Sequence, residues 1–151
     1  MTAFELLQII TGGIATLGFA ILFNIRGKKL VFASLGGFLS WTLFVLLKFV
    51  SANEPIRYFI VAVVISIYAE IMARILKTPT TTFHMVALIP LIPGGSLYYT
   101  MASIFEEDLD HFLDRGIHTL ELAVALAFGI VIVTAVAHTF RIKSRKKLAR
   151  H

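Results

Sequence analysis

The segment from Pro90 to Thr100 holds the residues whose types and order point most directly to chemistry. It reads Pro-Leu-Ile-Pro-Gly-Gly-Ser-Leu-Tyr-Tyr-Thr and lies inside a long apolar stretch. Proline interrupts a helix, glycine lets the chain turn, and serine is a good N-cap for a second half-helix. The free N–H groups at the start of that half-helix favour a carboxylate. We therefore predict a site for a small carboxylate substrate formed by seven residues: Pro90, Pro93, Gly94, Gly95, Ser96, Tyr99 and Thr100.

A second set of polar side chains precedes this segment. Glu70 and Arg74 are four residues apart on one predicted helix, in the order that favours an ion pair, and His84 follows ten residues after Arg74. Ionisable residues inside membrane segments are rare and usually functional, and histidine exchanges a proton near neutral pH. We predict that these three residues couple an ion or gate a path. The alternatives are an interfacial ion pair and a packed histidine.

Other kinds of chemistry lack the residues they need. The chain has no cysteine, and its five histidines are spread over the whole sequence. No nucleophile stands beside a base, no histidines and carboxylates are spaced as metal ligands, and no phosphate-binding loop is present. We therefore predict no enzymatic activity, no metal and no cofactor.

The composition indicates an integral membrane protein. Of 151 residues, 58% are hydrophobic and 15% charged, which is too apolar for a soluble domain of this size. The net charge of +5 does not indicate nucleic-acid binding, because the basic residues lie at helix ends.

Five apolar runs predict an all-α protein with about five transmembrane helices, the fourth broken at Pro-Leu-Ile-Pro-Gly-Gly near the bilayer midplane. Backbone can break at that depth only where it is buried in protein or lines a polar cavity. Thr78 and Pro79 resemble an N-cap and a first helical residue. Residues 106–115 read as an acidic loop. We expect residues 1–140 to form a single transmembrane domain and 141–151 a basic cytoplasmic tail that contacts anionic lipid. The runs cover about 4–24, 30–49, 56–76, 79–105 and 116–140.

Small residues four apart predict faces where helices pack closely in lipid. The pairs are Ala33 with Gly37, Gly36 with Ser40, and Ala125 with Gly129.

The distribution of basic residues predicts the orientation. Eleven of the fourteen Lys and Arg residues lie on the cytoplasmic side if the N-terminus is outside. The exceptions are Lys48, Arg57 and Arg115. We predict an N-terminus outside and a cytoplasmic C-terminus.

The central motif resembles that of a known family. Thr78-Pro79-Thr80-Thr81 and the run from Ile89 to Met101 are similar to the signature P-x-x-P-G-G-x-x-Y-Y-T-M of the threonine/serine exporter (ThrE) family, in its small membrane subunit. The resemblance covers most of the chain. It implies a secondary exporter of small hydroxy amino acids in the plasma (inner) membrane. The implied partner is a larger subunit with a hydrolase-like N-terminal portion and about five transmembrane helices.

Three other interpretations stay open. The half-helix requires only a carboxylate, so the substrate is alternatively a small organic or dicarboxylic acid such as succinate. The chain is alternatively a membrane scaffold without transport activity, or a channel formed by identical copies.

Overall fold

The computed structural model describes residues 3–105 and 109–148, with side chains described up to residue 139. This part of the chain is helical and contains no strand, which confirms the predicted all-α class. Six helices and one 3₁₀ turn follow each other along the chain. They are α1 (Ala3–Leu22), α2 (Lys28–Leu47), α3 (Glu54–Ile75), α4 (Thr80–Leu88), the 3₁₀ turn Ile89–Leu91, α5 (Gly94–Phe105) and α6 (Leu109–Leu148).

Four helices in the described ranges are long and apolar enough to cross a membrane: α1, α2, α3 and the first 31 residues of α6. The pair Thr80–Leu91 and Gly94–Phe105, bent by 54°, gives up to five crossings if it forms one span. Short loops join successive helices, so α1 to α3 alternate in direction. The loops 23–27 and 76–79 lie at one end, which we call the basic end because it carries Arg26, Lys28 and Lys77.

The helices pack through the small residues that the sequence indicated. Gly36, Gly37 and Ser40 are buried on α2, and a Cβ added at Gly37 would overlap the side chain of Thr16 on α1. A Cβ added at Gly129 on α6 would lie 2.6 Å from the Cβ of Ala62 on α3. Close backbone approach therefore joins α1 to α2 and α3 to α6. The small residues lie at packing faces, as the sequence predicted, and the structure adds which helices meet there.

The break in the fourth apolar run lies where the sequence placed it, but its local geometry differs from the prediction. The residue before α5 is Pro93, whose carbonyl accepts from the Leu97 N–H at 3.0 Å. Ser96 is thus the third residue of α5, and the prediction that it caps the helix was wrong. Neither Gly94 nor Gly95 has a positive φ, whereas Gly27 does. The chain changes direction at Pro90 and Pro93 and through the 3₁₀ turn Ile89–Leu91, and the two glycines begin a regular helix.

Two helix boundaries also differ from the prediction. Residues 109–115 form the first turns of α6 instead of a loop, and α6 continues without interruption past residue 140 to Leu148. At α4 the predicted cap is wrong by one residue: Pro79 occupies the N-cap position, while the Thr78 hydroxyl donates to the carbonyl of Leu76 at 2.9 Å. The side chains of the predicted tail, residues 141–151, and of residue 140 lie outside the described part.

Candidate functional site

The residues of the predicted carboxylate site lie in several different places in the structure. Ser96 and Tyr99 line one pocket, while Pro90 lines a shallow groove with Trp41 and α1. Gly94 and Gly95 are exposed, and a Cβ added at either would meet nothing within 4 Å. Thr100 is buried, and its hydroxyl lies 3.1 Å from that of Thr119 on α6. Of the seven predicted residues, Ser96 and Tyr99 thus share one described pocket.

The pocket at Ser96 and Tyr99 also contains two residues of α6 that the sequence analysis did not select, Arg115 and His118. We call it the Arg115 pocket; its volume is about 320 Å³. Arg115 was missed because residues 109–115 read as a loop. The helical register of α6 places the guanidinium of Arg115 against α5.

Arg115 is fixed by contacts with α5. Its Nη1 donates to Ser103 Oγ at 2.9 Å and to the carbonyl of Tyr99 at 3.3 Å. Its guanidinium carbon lies 5.9 Å from the centre of the Tyr99 ring. Among the described residues no carboxylate pairs with this guanidinium. Arginine binds carboxylates through two parallel N–H groups, so the pocket is suited to a carboxylate.

His118 forms the other side of the Arg115 pocket. Its Nε2 lies 3.3 Å from Glu54 Oε2 on α3, and its Nδ1 lies 3.9 Å from Glu121 Oε2. The contact with Glu54 joins α6 to α3 near the end opposite to the basic end, and the contact with Glu121 lies within α6.

A second polar pocket, also about 320 Å³, lies toward the basic end, and we call it the Glu70 pocket. It combines residues of α3, α4, α6 and the loop before α4. Of the three predicted ion-coupling residues, Glu70 and His84 line it, while Arg74 reaches Glu70 from outside. The lining residues are Glu70, Pro79, Thr80, Thr81, His84, Thr134, Ala137 and His138.

Glu70 is the central acidic group of this pocket. Its side chain is 13% exposed, and its Oε1 accepts from the Thr80 hydroxyl at 3.2 Å. Its Oε2 accepts from Arg74 Nη2 at 3.4 Å, but the Arg74 side chain is 55% exposed. The predicted ion pair is therefore formed, and it contributes little stability because Arg74 is largely exposed.

Two further polar atoms in this region are buried without a partner among the described residues: His84 Nε2 and Ser66 Oγ. Ser66 precedes Glu70 by one helical turn on α3. A buried polar group without a hydrogen bond destabilises the fold by about 1–3 kcal/mol. Such groups persist where a ligand or water completes them.

An apolar layer lies along α3 and α6 in the stretch between the two pockets. Val61, Ile65, Ala87, Leu91 and Leu122 form one cluster in which each of these side chains is fully buried. Leu91 belongs to the break itself. The two polar pockets are therefore not joined by a continuous polar path in this conformation.

The fold and the pockets together define a class of protein: a multi-pass membrane protein with polar pockets and a broken span, the construction typical of transporters.

More specifically, the chain belongs to the threonine/serine exporter family. The family model described as "Threonine/Serine exporter, ThrE" matches residues 8–136, a range that contains every residue of the predicted site. The resemblance seen in the sequence is thereby confirmed. No solved structure matches the chain.

Proposed function

We propose that this chain is the membrane subunit of a two-component secondary exporter of small hydroxy amino acids, threonine and serine. The observation that carries the proposal is the Arg115 pocket of a member of an exporter family. There the first turns of α5 meet a guanidinium that pairs with no carboxylate among the described residues. The side chains of Ser96 and Tyr99 would contact the substrate beside its carboxylate. Next to these side chains, Pro93, Gly94 and Gly95 leave the start of α5 accessible to the substrate.

The ion that drives export is proposed to act at the Glu70 pocket. Glu70 is largely shielded from solvent, and Arg74 offers a positive charge at the mouth of the pocket. His84 Nε2 is buried and has no side-chain or backbone partner within hydrogen-bond geometry among the described residues. Protonation of a shielded carboxylate changes its contacts with neighbouring side chains. We propose that Glu70, assisted by Arg74 and His84, couples proton movement to export.

A larger partner subunit is proposed to complete the exporter. In the described structure α5 packs mainly against α6, and Tyr98 and Phe105 on α5 are 69% and 88% exposed. α1 packs mainly against α2 and is largely uncovered. These apolar faces suit both lipid and a partner with about five transmembrane helices. We place the complex in the plasma (inner) membrane, with the N-terminus outside and the basic end in the cytoplasm.

The proposal is tested by export of labelled threonine, serine and succinate from cells that express this chain with and without the larger subunit. Export of threonine and serine only when both chains are present is the expected result. Export of succinate instead identifies a dicarboxylate exporter. Export by this chain alone refutes the two-component arrangement, and no export with both chains inserted supports a scaffold.

The site assignment is tested by Gly95→Leu, with Gly18→Leu as its matched control. A Cβ at either glycine meets nothing within 4 Å, so neither change disturbs packing at the Cβ position. Gly95 begins α5 beside the Arg115 pocket, whereas Gly18 lies on α1. We expect Gly95→Leu to abolish export while membrane insertion is kept, and Gly18→Leu to keep both. Retained export in Gly95→Leu would refute the site.

A further inference from the structure

The two polar pockets have opposite chemical character. His118 in the Arg115 pocket and Thr134 in the Glu70 pocket are sixteen residues apart on α6, which corresponds to about 24 Å along a helix. One pocket presents a guanidinium and the other a carboxylate. An amino acid carries both complementary groups, an ammonium and a carboxylate, but is far too short to reach from one pocket to the other.

The Glu70 pocket has the groups that an ammonium requires. An ammonium donates three hydrogen bonds, and here the carboxylate of Glu70 and the hydroxyls of Thr80, Thr81 and Thr134 can accept them. His84 Nε2 is a further buried nitrogen, and it has no hydrogen-bond partner among the described residues. The cavity of about 320 Å³ has space for a small molecule beside these groups.

The charged and titratable groups around Glu70 do not prevent its carboxylate from binding an ammonium group. On its own helix, Arg74 approaches one carboxylate oxygen at 3.4 Å from a largely exposed position. From α4 and α6, His84 and His138 face the same pocket. Arg74 can swing toward headgroups or water, because its long side chain extends easily from a helix end. An arriving ammonium therefore replaces a weak, exposed partner.

We propose that the Glu70 pocket is a second substrate-binding site, in which Glu70 binds the α-ammonium group of the transported amino acid. This inference rests on the proposed export function and extends it. Glu70 cannot hold a proton and pair with an ammonium at the same time. Binding of substrate therefore releases the proton to water on that side, and protonation releases the substrate, which gives an exchange of the two at one carboxylate.

The absence of cysteine allows a direct test with single-cysteine reporters. Ala137→Cys reports on the Glu70 pocket, because Ala137 lines that pocket and has no functional group of its own. Ser96→Cys reports on the Arg115 pocket. The full chain is labelled with a maleimide in membranes that also contain the larger subunit, and labelling of this chain is followed after separation on a gel.

Two fragments of threonine serve as probes. 1-Amino-2-propanol lacks the carboxylate, and 3-hydroxybutyrate lacks the ammonium. At about nine times its dissociation constant a ligand leaves about one tenth of the sites free, so the labelling rate falls about tenfold. We expect 1-amino-2-propanol to slow labelling at Ala137→Cys and 3-hydroxybutyrate not to do so.

Glu70→Gln is the matched variant, because glutamine keeps the side-chain shape and an oxygen that accepts from Thr80. Protection at Ala137→Cys by the amine must disappear in Glu70→Gln, while the response of Ser96→Cys to 3-hydroxybutyrate is kept and shows that the variant is folded. Amine protection that persists in Glu70→Gln overturns the assignment. So does equal protection by both fragments, or none by the amine.

The test separates this inference from the proposed function. If threonine is exported but the amine gives no protection, only the proposal of a second substrate-binding site is refuted. If the amine protects in a Glu70-dependent way but no hydroxy amino acid is exported, the pocket binds an ammonium group and the proposal that threonine and serine are the substrates is refuted.

Discussion

The contact between α3 and α6 at Gly129 allows a quantitative prediction. It is relevant to the site because both helices line the Glu70 pocket and α6 also lines the Arg115 pocket. A Cβ at position 129 would lie 2.6 Å from Ala62 Cβ, 3.0 Å from the carbonyl oxygen of Phe59 and 3.2 Å from the amide nitrogen of Val63. Two of these three atoms belong to the backbone, which cannot move aside by changing a rotamer. The variant Gly129→Ala must therefore push α3 and α6 apart.

Gly18→Ala is the matched control, since a Cβ there meets nothing within 4 Å. Both glycines lie within helices, so both variants gain the same preference of alanine for helix, about 1 kcal/mol. The difference in unfolding free energy between the two variants thus isolates the overpacking term, roughly 1–3 kcal/mol. We expect Gly129→Ala to be the less stable by this amount.

Unfolding in detergent can be followed by the fluorescence of the single tryptophan, Trp41. Ala62→Gly alone loses the helix preference of alanine, about 1 kcal/mol, so the double variant is compared with both single variants. The double variant Gly129→Ala with Ala62→Gly should lose less than the sum of the two single losses, because it removes the closest of the three contacts and leaves the two backbone contacts. Equal stability of Gly129→Ala and Gly18→Ala would refute the close approach of α3 and α6. A loss in the double variant equal to that sum would refute the assignment of the clash to Ala62.

Three further predictions follow from single contacts. Gly95→Ala should not lower the thermal stability of the detergent-solubilised chain, because no atom lies within 4 Å of the added Cβ; a large loss would contradict this. Tyr68→Phe removes a hydroxyl that donates to the carbonyl of Phe32 at 2.7 Å, and denaturation should show a loss of about 0.5–1.5 kcal/mol; no loss would mean that the bond is not formed. Arg115→Lys keeps the charge but loses the guanidinium contact with Ser103 Oγ, and transport assays should show a higher KM for threonine with insertion unchanged. An unchanged KM would place the carboxylate elsewhere.

The helices and the break could be predicted because their signals are local. Apolar runs of sufficient length, separated by basic loops and a turn before Pro55, define the spans without knowledge of packing. Likewise, prolines at positions 90 and 93 interrupt a helix wherever it packs. Small residues at four-residue spacing predicted packing faces for a similarly local reason.

The composition of the pockets could not be predicted, because it depends on which helix faces meet. The bond from Thr80 to Glu70 crosses a loop in which Lys77 has a positive φ of 47°, a conformation that residues other than glycine adopt rarely. Arg115 reaches Ser103 only because α6 begins before it instead of after it. Ser96 was assigned as a cap from its residue type, whereas the carbonyl of Pro93 already receives the first helical bond.

The two halves of the broken span are held by different neighbours, and this division matters for a transporter. α4 packs against α2 and α3, where Phe83 and Val86 are fully buried, whereas α5 packs mainly against α6. α4 carries His84 of the Glu70 pocket, and α5 carries Ser96 of the Arg115 pocket. A change of the 54° bend would thus move one pocket relative to the other and shift Leu91, which lies in the apolar layer between them. Because Pro90 lacks the N–H that would tie the 3₁₀ turn to α4, such a change of the bend breaks no backbone hydrogen bond donated by residue 90.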